Sequence, residues 1–244
     1  MDLNSIFLGM IICINFVVFA LVTWTLYEFI RLDKEQFRCY SIGLALYGIT
    51  VFCFFLRYVV FPSLGTIEST ILGFGVYVLP LIGVLFFIKG TEYLAAQENP
   101  DFKRNETLYR FIFYLIVITG IYTLSLNGLK IVLSKGSYNV LSYFSNILYV
   151  IIVIFSLKLL LYYKNFFSPL FRGIIFQYVL AVLFLIGGGL IMTTAFRPVT
   201  VDNSTITDLS YLRNTVATIG GFLIIIPFLI CYRSVSKFRK LLTG

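Results

Sequence analysis

The chain has 244 residues, of which 59% are hydrophobic and 12% are charged, with a net charge of +8 and a mean hydropathy of +0.95. Soluble domains are typically about 45–50% apolar and about 25% charged, so this composition excludes an ordinary soluble protein and indicates an integral membrane protein. There is no histidine, which excludes histidine-ligated haem or zinc and histidine-based acid–base catalysis. We therefore expect no metal, no cofactor and no enzymatic activity.

Seven apolar segments are long enough to cross about 30 Å of hydrocarbon, which takes roughly 20 residues. Because backbone polar groups cannot stay unpaired in lipid, each segment is predicted to be a helix. The segments lie near 5–30, 40–61, 70–89, 108–132, 139–163, 172–196 and 214–232. The predicted fold class is all-α, a polytopic bundle of seven transmembrane helices that forms a single domain over 1–244. The first segment lacks the basic start and the cleavage site of a signal peptide.

Lysine and arginine are unevenly divided between alternate connections. Fourteen of the nineteen fall on the side that holds the 31–39, 89–110 and 158–172 connections and the C-terminus. Cytoplasmic loops carry an excess of these residues, so the N-terminus is predicted outside and the C-terminus in the cytoplasm, most simply at the cell membrane. The expected partners are membrane lipids and a protein at the basic cytoplasmic face, and the charge gives no reason to expect nucleic acid.

Two glycosylation sequons fall on opposite sides of this topology. Asn203, in "NST", lies on the predicted outer side and is a possible glycosylation site, whereas Asn105, in "NET", lies inside and is expected to stay unmodified.

A weak internal similarity suggests a 3+1+3 repeat that relates the first three segments to the last three. Asn15 and Asn146 occupy similar depths, and "GVYVLPLIGVLFFIK" with Pro80 parallels "GGFLIIIPFLICYR" with Pro227. Pro80 and Pro227 are therefore hinge candidates, with a tolerated kink as the simpler alternative for each.

The middle of the predicted membrane has no charged residue, which disfavours proton pumps and ion-coupled exchangers. The segment 214–232 has no lysine, so it cannot form the Schiff base of a retinal protein. Arg57, inside "FFLRYVV", is the most unusual cation. It is predicted to bind an anionic ligand or to pair with Glu68, unless it is an end charge that reaches the headgroups.

Three asparagines are candidate ligand-binding residues in the outer half of the bundle: Asn15, Asn127 and Asn146. They could line a polar cavity that opens outward. The alternative is a set of interhelical hydrogen bonds, worth about 0.6 kcal/mol each on average.

The layout resembles the seven-helix membrane sensor regions of bacterial and archaeal histidine kinases. The resemblance lies in the N-outside plan, in "TLYEFIRLDKEQFRCYSIGLALYGITVF" and in "LPLIGVLFFIKGTEYL". It implies sensing, and since the printed chain ends without an output domain, it implies a separate cytoplasmic partner.

Three functions follow as hypotheses. The first is a receptor- or sensor-like protein that binds a small or lipidic ligand and signals through the basic face, especially the 90–107 loop and the C-terminal tail. The second is a transporter of small uncharged solutes, with Pro80 and Pro227 as paired bending points. The third is an accessory subunit of a larger membrane complex.

Overall fold

The computed structural model describes residues 3–32, 34–60, 66–128 and 135–169, together with short stretches and single positions between 172 and 237. All the regular secondary structure in this part of the chain is helical. Its elements are α1 (Leu3–Arg31), α2 (Glu35–Phe55) continued by a π-helical turn (Leu56–Val60), α3 (Thr66–Tyr77), α4 (Leu79–Glu98), α5 (Glu106–Gly128) and α6 (Lys135–Lys164).

Four described helices are long and apolar enough to cross a membrane: Glu35–Phe55, Ile71–Glu98, Glu106–Leu126 and Tyr143–Lys164. They match the second to fifth predicted segments and indicate a membrane-embedded, all-helical protein. A shorter apolar stretch, Asn15–Glu28, lies in α1. The predicted segments 172–196 and 214–232 fall almost entirely outside the described residues. The count of seven helices, the orientation and the repeat therefore stay predictions.

Apolar side chains both fill the core of the bundle and cover its outside, as expected for a membrane protein. Fully buried residues such as Leu81, Ile112 and Ile152 form the core, while large apolar side chains such as Phe16 and Phe19 are exposed on the outside. In water such a surface would drive aggregation. In hydrocarbon it costs nothing, because lipid tails are as apolar as the side chains.

The helices run alternately up and down. We call the end where α1, α4 and α6 finish, and where α2 and α5 begin, the basic end. We call the other end of the bundle, where α3 begins, the opposite end. Among the described helices the most extensive packing is between α2 and α4, and α1 packs on α2, α3 on α5, and α5 on α6.

Glycines bring α2 and α4 together. A Cβ added to Gly43 would come within 2.9 Å of the Phe87 ring and within 3.2 Å of the Gly83 carbonyl oxygen, and one added to Gly90 would come within 3.0 Å of the Gln36 carbonyl oxygen. Only glycine permits so close a backbone approach, which strengthens dispersion contacts in lipid. The backbones of α2 and α4 therefore approach each other closely along the pair.

A proline separates α3 from α4. Pro80 is buried and has no N–H, so the Val76 carbonyl loses its usual donor four residues on. The helical bonds resume on both sides, from Val78 N to Phe74 O at 2.9 Å and from Ile82 N to Val78 O at 3.1 Å. Pro80 therefore interrupts one long membrane-crossing helix without ending it. Pro227 lies outside the described residues.

The third predicted segment differs from the structure at its end. It was expected to stop near residue 89, with a loop over 90–107, but α4 continues to Glu98. The reason is tertiary: Thr91 and Glu92 are polar yet buried against other helices, so their polarity does not mark a loop. The true connection is 99–105. It is ordered by Asn99 Oδ1, which accepts from Asp101 N at 2.9 Å, and by Asn105 Oδ1, which accepts from Leu108 N at 3.1 Å and caps α5.

Candidate functional site

An apolar groove lies on the side of the bundle between α1 and α2. Its volume is about 420 Å³, within the range of about 300–1,000 Å³ that is usual for ligand sites. It is lined by Ile12, Asn15, Phe16, Val18, Phe19, Val22, Thr23 and Leu26 of α1 and by Ala45, Gly48, Ile49, Val51, Phe52 and Phe55 of α2.

The lining is chemically uniform. Asn15 and Thr23 are its polar side chains, and the Thr23 hydroxyl donates to the Phe19 carbonyl of its own helix at 2.8 Å. At Gly48 the two helices that form the groove approach each other closely, because a Cβ on Gly48 would lie 3.1 Å from Val22 Cγ1. An apolar chain therefore fits this groove, whereas a charged or strongly polar solute would lose its hydration without compensation.

The buried cation predicted from the sequence lies on the π-helical turn that follows α2. Arg57 is 9% exposed, and its guanidinium carbon lies over the Tyr77 ring at 5.6 Å from the centroid. Side chains tilt toward the N-terminus of their helix. Since α2 and α3 are antiparallel, the Arg57 side chain tilts toward the middle of the bundle and the Tyr77 side chain tilts toward the opposite end. The two tilts bring the guanidinium and the ring together. Glu68 is exposed in the first turn of α3.

A column of tyrosines continues from Arg57 toward the middle of the bundle. Tyr149 of α6 lies close enough to Tyr77 and to Tyr47 of α2 to interact electrostatically with both. Tyr149 and Tyr47 are buried, and Tyr77 is half-buried. We call Arg57, Tyr77, Tyr149 and Tyr47 the polar column. It places one cation and three phenol groups from separate helices inside the bundle.

A cluster of hydrogen-bonded polar side chains connects the helices at the basic end. Glu92 Oε1 accepts hydrogen bonds from the Tyr163 hydroxyl at 2.5 Å and from Arg104 Nε at 3.0 Å. Glu92 is 8% exposed and Tyr163 is fully buried. A carboxylate in such a place would be costly if it were unpaired, and these donors offset that cost. We call Glu92, Arg104 and Tyr163 the basic-end triad.

Arg104 extends this triad to α5. Its Nη1 donates to Glu106 Oε1 at 3.2 Å, its guanidinium stacks 3.9 Å from the centre of the Tyr109 ring, and Glu106 Oε2 accepts from Arg110 at 3.2 Å. Burial opposes the charged form of Arg104, but the carboxylates of Glu92 and Glu106 outweigh it and raise its pKa. Arg104 thus stays charged and links α4, α5 and α6.

Two further contacts tie α2 to α4 at the basic end. Gln36 Nε2 donates to Gln97 Oε1 at 2.9 Å. The Thr91 hydroxyl donates to the Phe87 carbonyl at 2.8 Å, so Tyr40, 3.1 Å from Thr91 Oγ1, is the donor in that pair. Sequence reasoning had assigned Thr91, Glu92 and Gln97 to a loop and missed this layer. Their spacing of one or two turns, with Leu94 and Ala95 between them, was the available signal.

The predicted site residues do not gather in one place. Asn15 lines the groove, Arg57 belongs to the polar column, and Asn146 is half-buried on α6, next to the buried Thr123–Ser145 hydroxyl contact of 3.1 Å between α5 and α6. Pro80 lies at the α3–α4 break. The side chain of Asn127, and the whole of Pro227 and Asn203, lie outside the described residues.

Comparisons with known protein families, with curated proteins and with solved structures find no match to this chain. Its function must therefore be argued from the groove, the polar column and the basic-end triad alone.

Proposed function

We propose that this protein is a receptor- or sensor-like integral membrane protein that binds a lipidic ligand through an acyl chain in the α1–α2 groove. It has seven membrane helices, its N-terminus is outside the cell membrane, and its basic end faces the cytoplasm, where a separate protein receives the signal. The observation that carries the proposal is the groove, which lies between α1 and α2 and is lined almost entirely by apolar side chains.

The two helices that form the groove differ in how they are packed against the rest of the bundle. Among the described helices, α2 is packed through glycine contacts onto α4, whereas α1 packs mainly on α2. A chain that enters between Phe19 and Phe52 would therefore displace α1 more readily than α2. A ligand shifts an equilibrium only as far as its affinities for two conformations differ. The position of α1 is the quantity that an acyl chain would change.

The route to the cytoplasmic side runs through elements in direct contact. α1 ends at Arg31, and the next helix begins at Glu35. The first turns of α2 hold Gln36 and Tyr40, which bond to the end of α4. A shift of α1 would thus reach the basic end and the 99–105 connection, which is the surface we assign to the protein partner.

The groove can be tested by filling it. Ala45→Phe places a ring in the groove, and Ala20→Phe is the matched control because Ala20 is exposed on α1 outside the lining. We expect a photoreactive palmitic acid to label the groove segments of the wild type in nanodiscs, Ala45→Phe to lower that labelling about 10-fold, and Ala20→Phe to leave it unchanged. The tenfold loss corresponds to about 1.4 kcal/mol of binding free energy.

Signalling is tested by a second readout on the same samples. Palmitate should change amide hydrogen exchange at 99–105 in the wild type and in Ala20→Phe but not in Ala45→Phe. Equal labelling of all three proteins would rule out the groove as the binding site. Labelling without any change at 99–105 would rule out the receptor function and leave a passive lipid site.

The groove also favours a second candidate function, that of an accessory subunit. An apolar transmembrane helix of another protein could occupy the same surface, with small residues such as Ala45 and Gly48 permitting close approach. In that case Ala45→Phe would abolish co-purification of a membrane partner, and labelling by palmitate would be absent from the complex.

A further inference from the structure

The last turns of α6 and the turn that follows carry several cations at the basic end. Lys158 and Lys164 lie in the last two turns of α6, and Arg172 follows the turn that ends the helix. No aspartate or glutamate occurs between Glu106 and Asp202. This segment therefore supplies positive charge and no carboxylate to balance it.

Neighbouring carboxylates at the basic end are already bonded to other groups. Glu92 accepts from Tyr163 and Arg104. Glu106 accepts from Arg104 and Arg110. These two carboxylates therefore serve the cations of the 99–105 connection and of α5, and the cations of α6 do not share in the pairing.

The described partners of the cations near the end of α6 are uncharged. Lys164 Nζ lies 5.5 Å from the centre of the Phe176 ring, and Arg172 Nε donates to the Phe167 carbonyl oxygen at 2.8 Å. A ring face and a carbonyl oxygen attract a cation without cancelling its charge. Both side chains are thus positioned and still positive.

Aromatic side chains bring the 99–105 connection to the same place. Phe102 meets Phe166 edge to face, with 5.2 Å between the ring centres, and the Tyr162 hydroxyl donates to the Lys103 carbonyl oxygen at 3.4 Å. Tyr162 lies one turn after Lys158, so the two side chains are neighbours on the surface of α6. We call this surface the α6 corner, and it consists of Lys103, Lys158, Tyr162, Lys164 and Arg172.

The depth of Lys158 indicates the kind of partner that fits the corner. Lys158 is about 9 Å from the end of α6 at 1.5 Å per residue, and it lies inside the membrane-crossing helix Tyr143–Lys164. It is exposed, as are Ile154 and Leu161 one turn away on either side. A lysine at such a depth extends toward the headgroups. A phospholipid headgroup is present at that level, whereas a soluble protein does not reach it.

We propose that the α6 corner binds the headgroup of an anionic phospholipid such as phosphatidylglycerol, with Lys103 and Lys158 as charge partners of its phosphate. The four cations of the corner outnumber the exposed carboxylate of Asp101 nearby. Basic residues beside a membrane-crossing helix attract anionic lipid. The corner is separate from the groove of α1 and α2, so the inference holds whichever ligand the groove takes.

The test measures lipid binding to the full chain by native mass spectrometry in detergent, with phosphatidylglycerol as the anionic probe and phosphatidylcholine with the same acyl chains as the zwitterionic control. The wild type should bind the anionic lipid about 10-fold more tightly, because each basic residue near the surface attracts it. Lys103→Gln combined with Lys158→Gln should remove that preference. Lys158→Arg should keep it, since the charge is unchanged.

The matched control is Lys34→Gln combined with Lys89→Gln. It makes the same change in net charge at the basic end, outside the corner, and should keep the preference for phosphatidylglycerol. Equal affinity of the wild type for both lipids, or an equal loss of preference in the two double variants, would overturn the proposal.

A second measurement needs no variant and stays decisive if one of them does not fold. Phosphatidylglycerol with a photoreactive headgroup should label residues 99–105 and 158–172 of the wild type in nanodiscs. Labelling confined to the turn between α1 and α2 would contradict the corner as the site. A wild type that binds a polyglutamate peptide but shows no lipid preference would assign the corner to an acidic protein instead.

Discussion

At the basic end, the Glu92 carboxylate accepts from Tyr163 and Arg104 through the same oxygen atom. Tyr163 belongs to α6 and Arg104 to the connection before α5, so this one side chain of α4 joins segments that are up to 71 positions apart in the sequence. Hydrogen bonds to charged groups contribute about 1.5–3 kcal/mol each, and an orphaned buried partner costs a similar amount. The basic-end triad should therefore stabilise the position of the 99–105 connection against α4.

The first prediction concerns this triad. Glu92→Ala should lower the free energy of unfolding by about 2–4 kcal/mol, because it orphans the Tyr163 hydroxyl and removes an ion-pair partner of Arg104. Glu98→Ala is the matched control, since Glu98 is an exposed glutamate on the same helix, and should change stability by less than about 0.5 kcal/mol. Reversible unfolding in mixed detergent micelles measures both.

Coupling within the triad is measured by a double-mutant cycle of Glu92→Gln and Tyr163→Phe. Residues that share a network usually couple by about 0.5–3 kcal/mol. A coupling energy below about 0.3 kcal/mol would show that the short contact between Tyr163 and Glu92 contributes nothing of its own.

At the scale of the element, α2 and α4 illustrate how small residues replace the hydrophobic effect in a membrane. Lipid removes the usual driving force for helix association, so close backbone packing must supply it. Gly43 and Gly83 face each other across the pair: a Cβ on Gly83 would lie 3.3 Å from the Gly43 carbonyl oxygen. The pair therefore forms a close-packed support for α1 and α3, which both pack on α2.

The second prediction follows from this packing. Gly43→Leu should lower the free energy of unfolding by about 1–3 kcal/mol, the usual cost of overpacking, because the Phe87 ring occupies the space that the new side chain needs. Gly9→Leu on α1 is the control, since a Cβ there would meet nothing within 4 Å. Gly9→Leu should be neutral or slightly stabilising, as expected for glycine replaced in a helix. Equal destabilisation by both variants would contradict tight α2–α4 packing.

At the scale of the whole molecule, the three constellations occupy different places. The groove lies between α1 and α2, Arg57 and the polar column lie toward the opposite end, and the basic-end triad lies at the basic end. A charged residue deep in the bundle is expensive in hydrocarbon. Arg57 and Glu92 both lie toward the ends of the bundle. Arg57 lies over the Tyr77 ring, and Glu92 accepts from Tyr163 and Arg104.

The third prediction concerns orientation. In a chain whose four cysteines are replaced by alanine, Glu68→Cys at the opposite end should react with a membrane-impermeant maleimide on intact cells. Glu98→Cys at the basic end should react only after permeabilisation, because cytoplasmic segments carry the excess of lysine and arginine. Both positions are exposed. The reverse pattern would invert the proposed topology and place the signalling surface outside.

The sequence alone determined the class of protein and the positions of most described helices. Apolar segments long enough to cross a bilayer must be helical, and this reasoning placed the segments near 40–61, 108–132 and 139–163 within about six residues of the observed helices. It also singled out Arg57 and Pro80, because a cation or a proline inside an apolar run departs from the pattern locally.

Only the tertiary structure decided where α4 ends and which polar groups share a site. The composition of a loop is found at Gly90, Thr91 and Glu92. These residues are nevertheless helical, because Tyr40 hydrogen-bonds to Thr91, and Tyr163 and Arg104 hydrogen-bond to Glu92, from other parts of the chain. The groove and the polar column likewise depend on which faces of α1, α2, α3 and α6 meet. Hydropathy along one chain cannot fix those faces, because in lipid the outward and inward sides of a helix are nearly equally apolar.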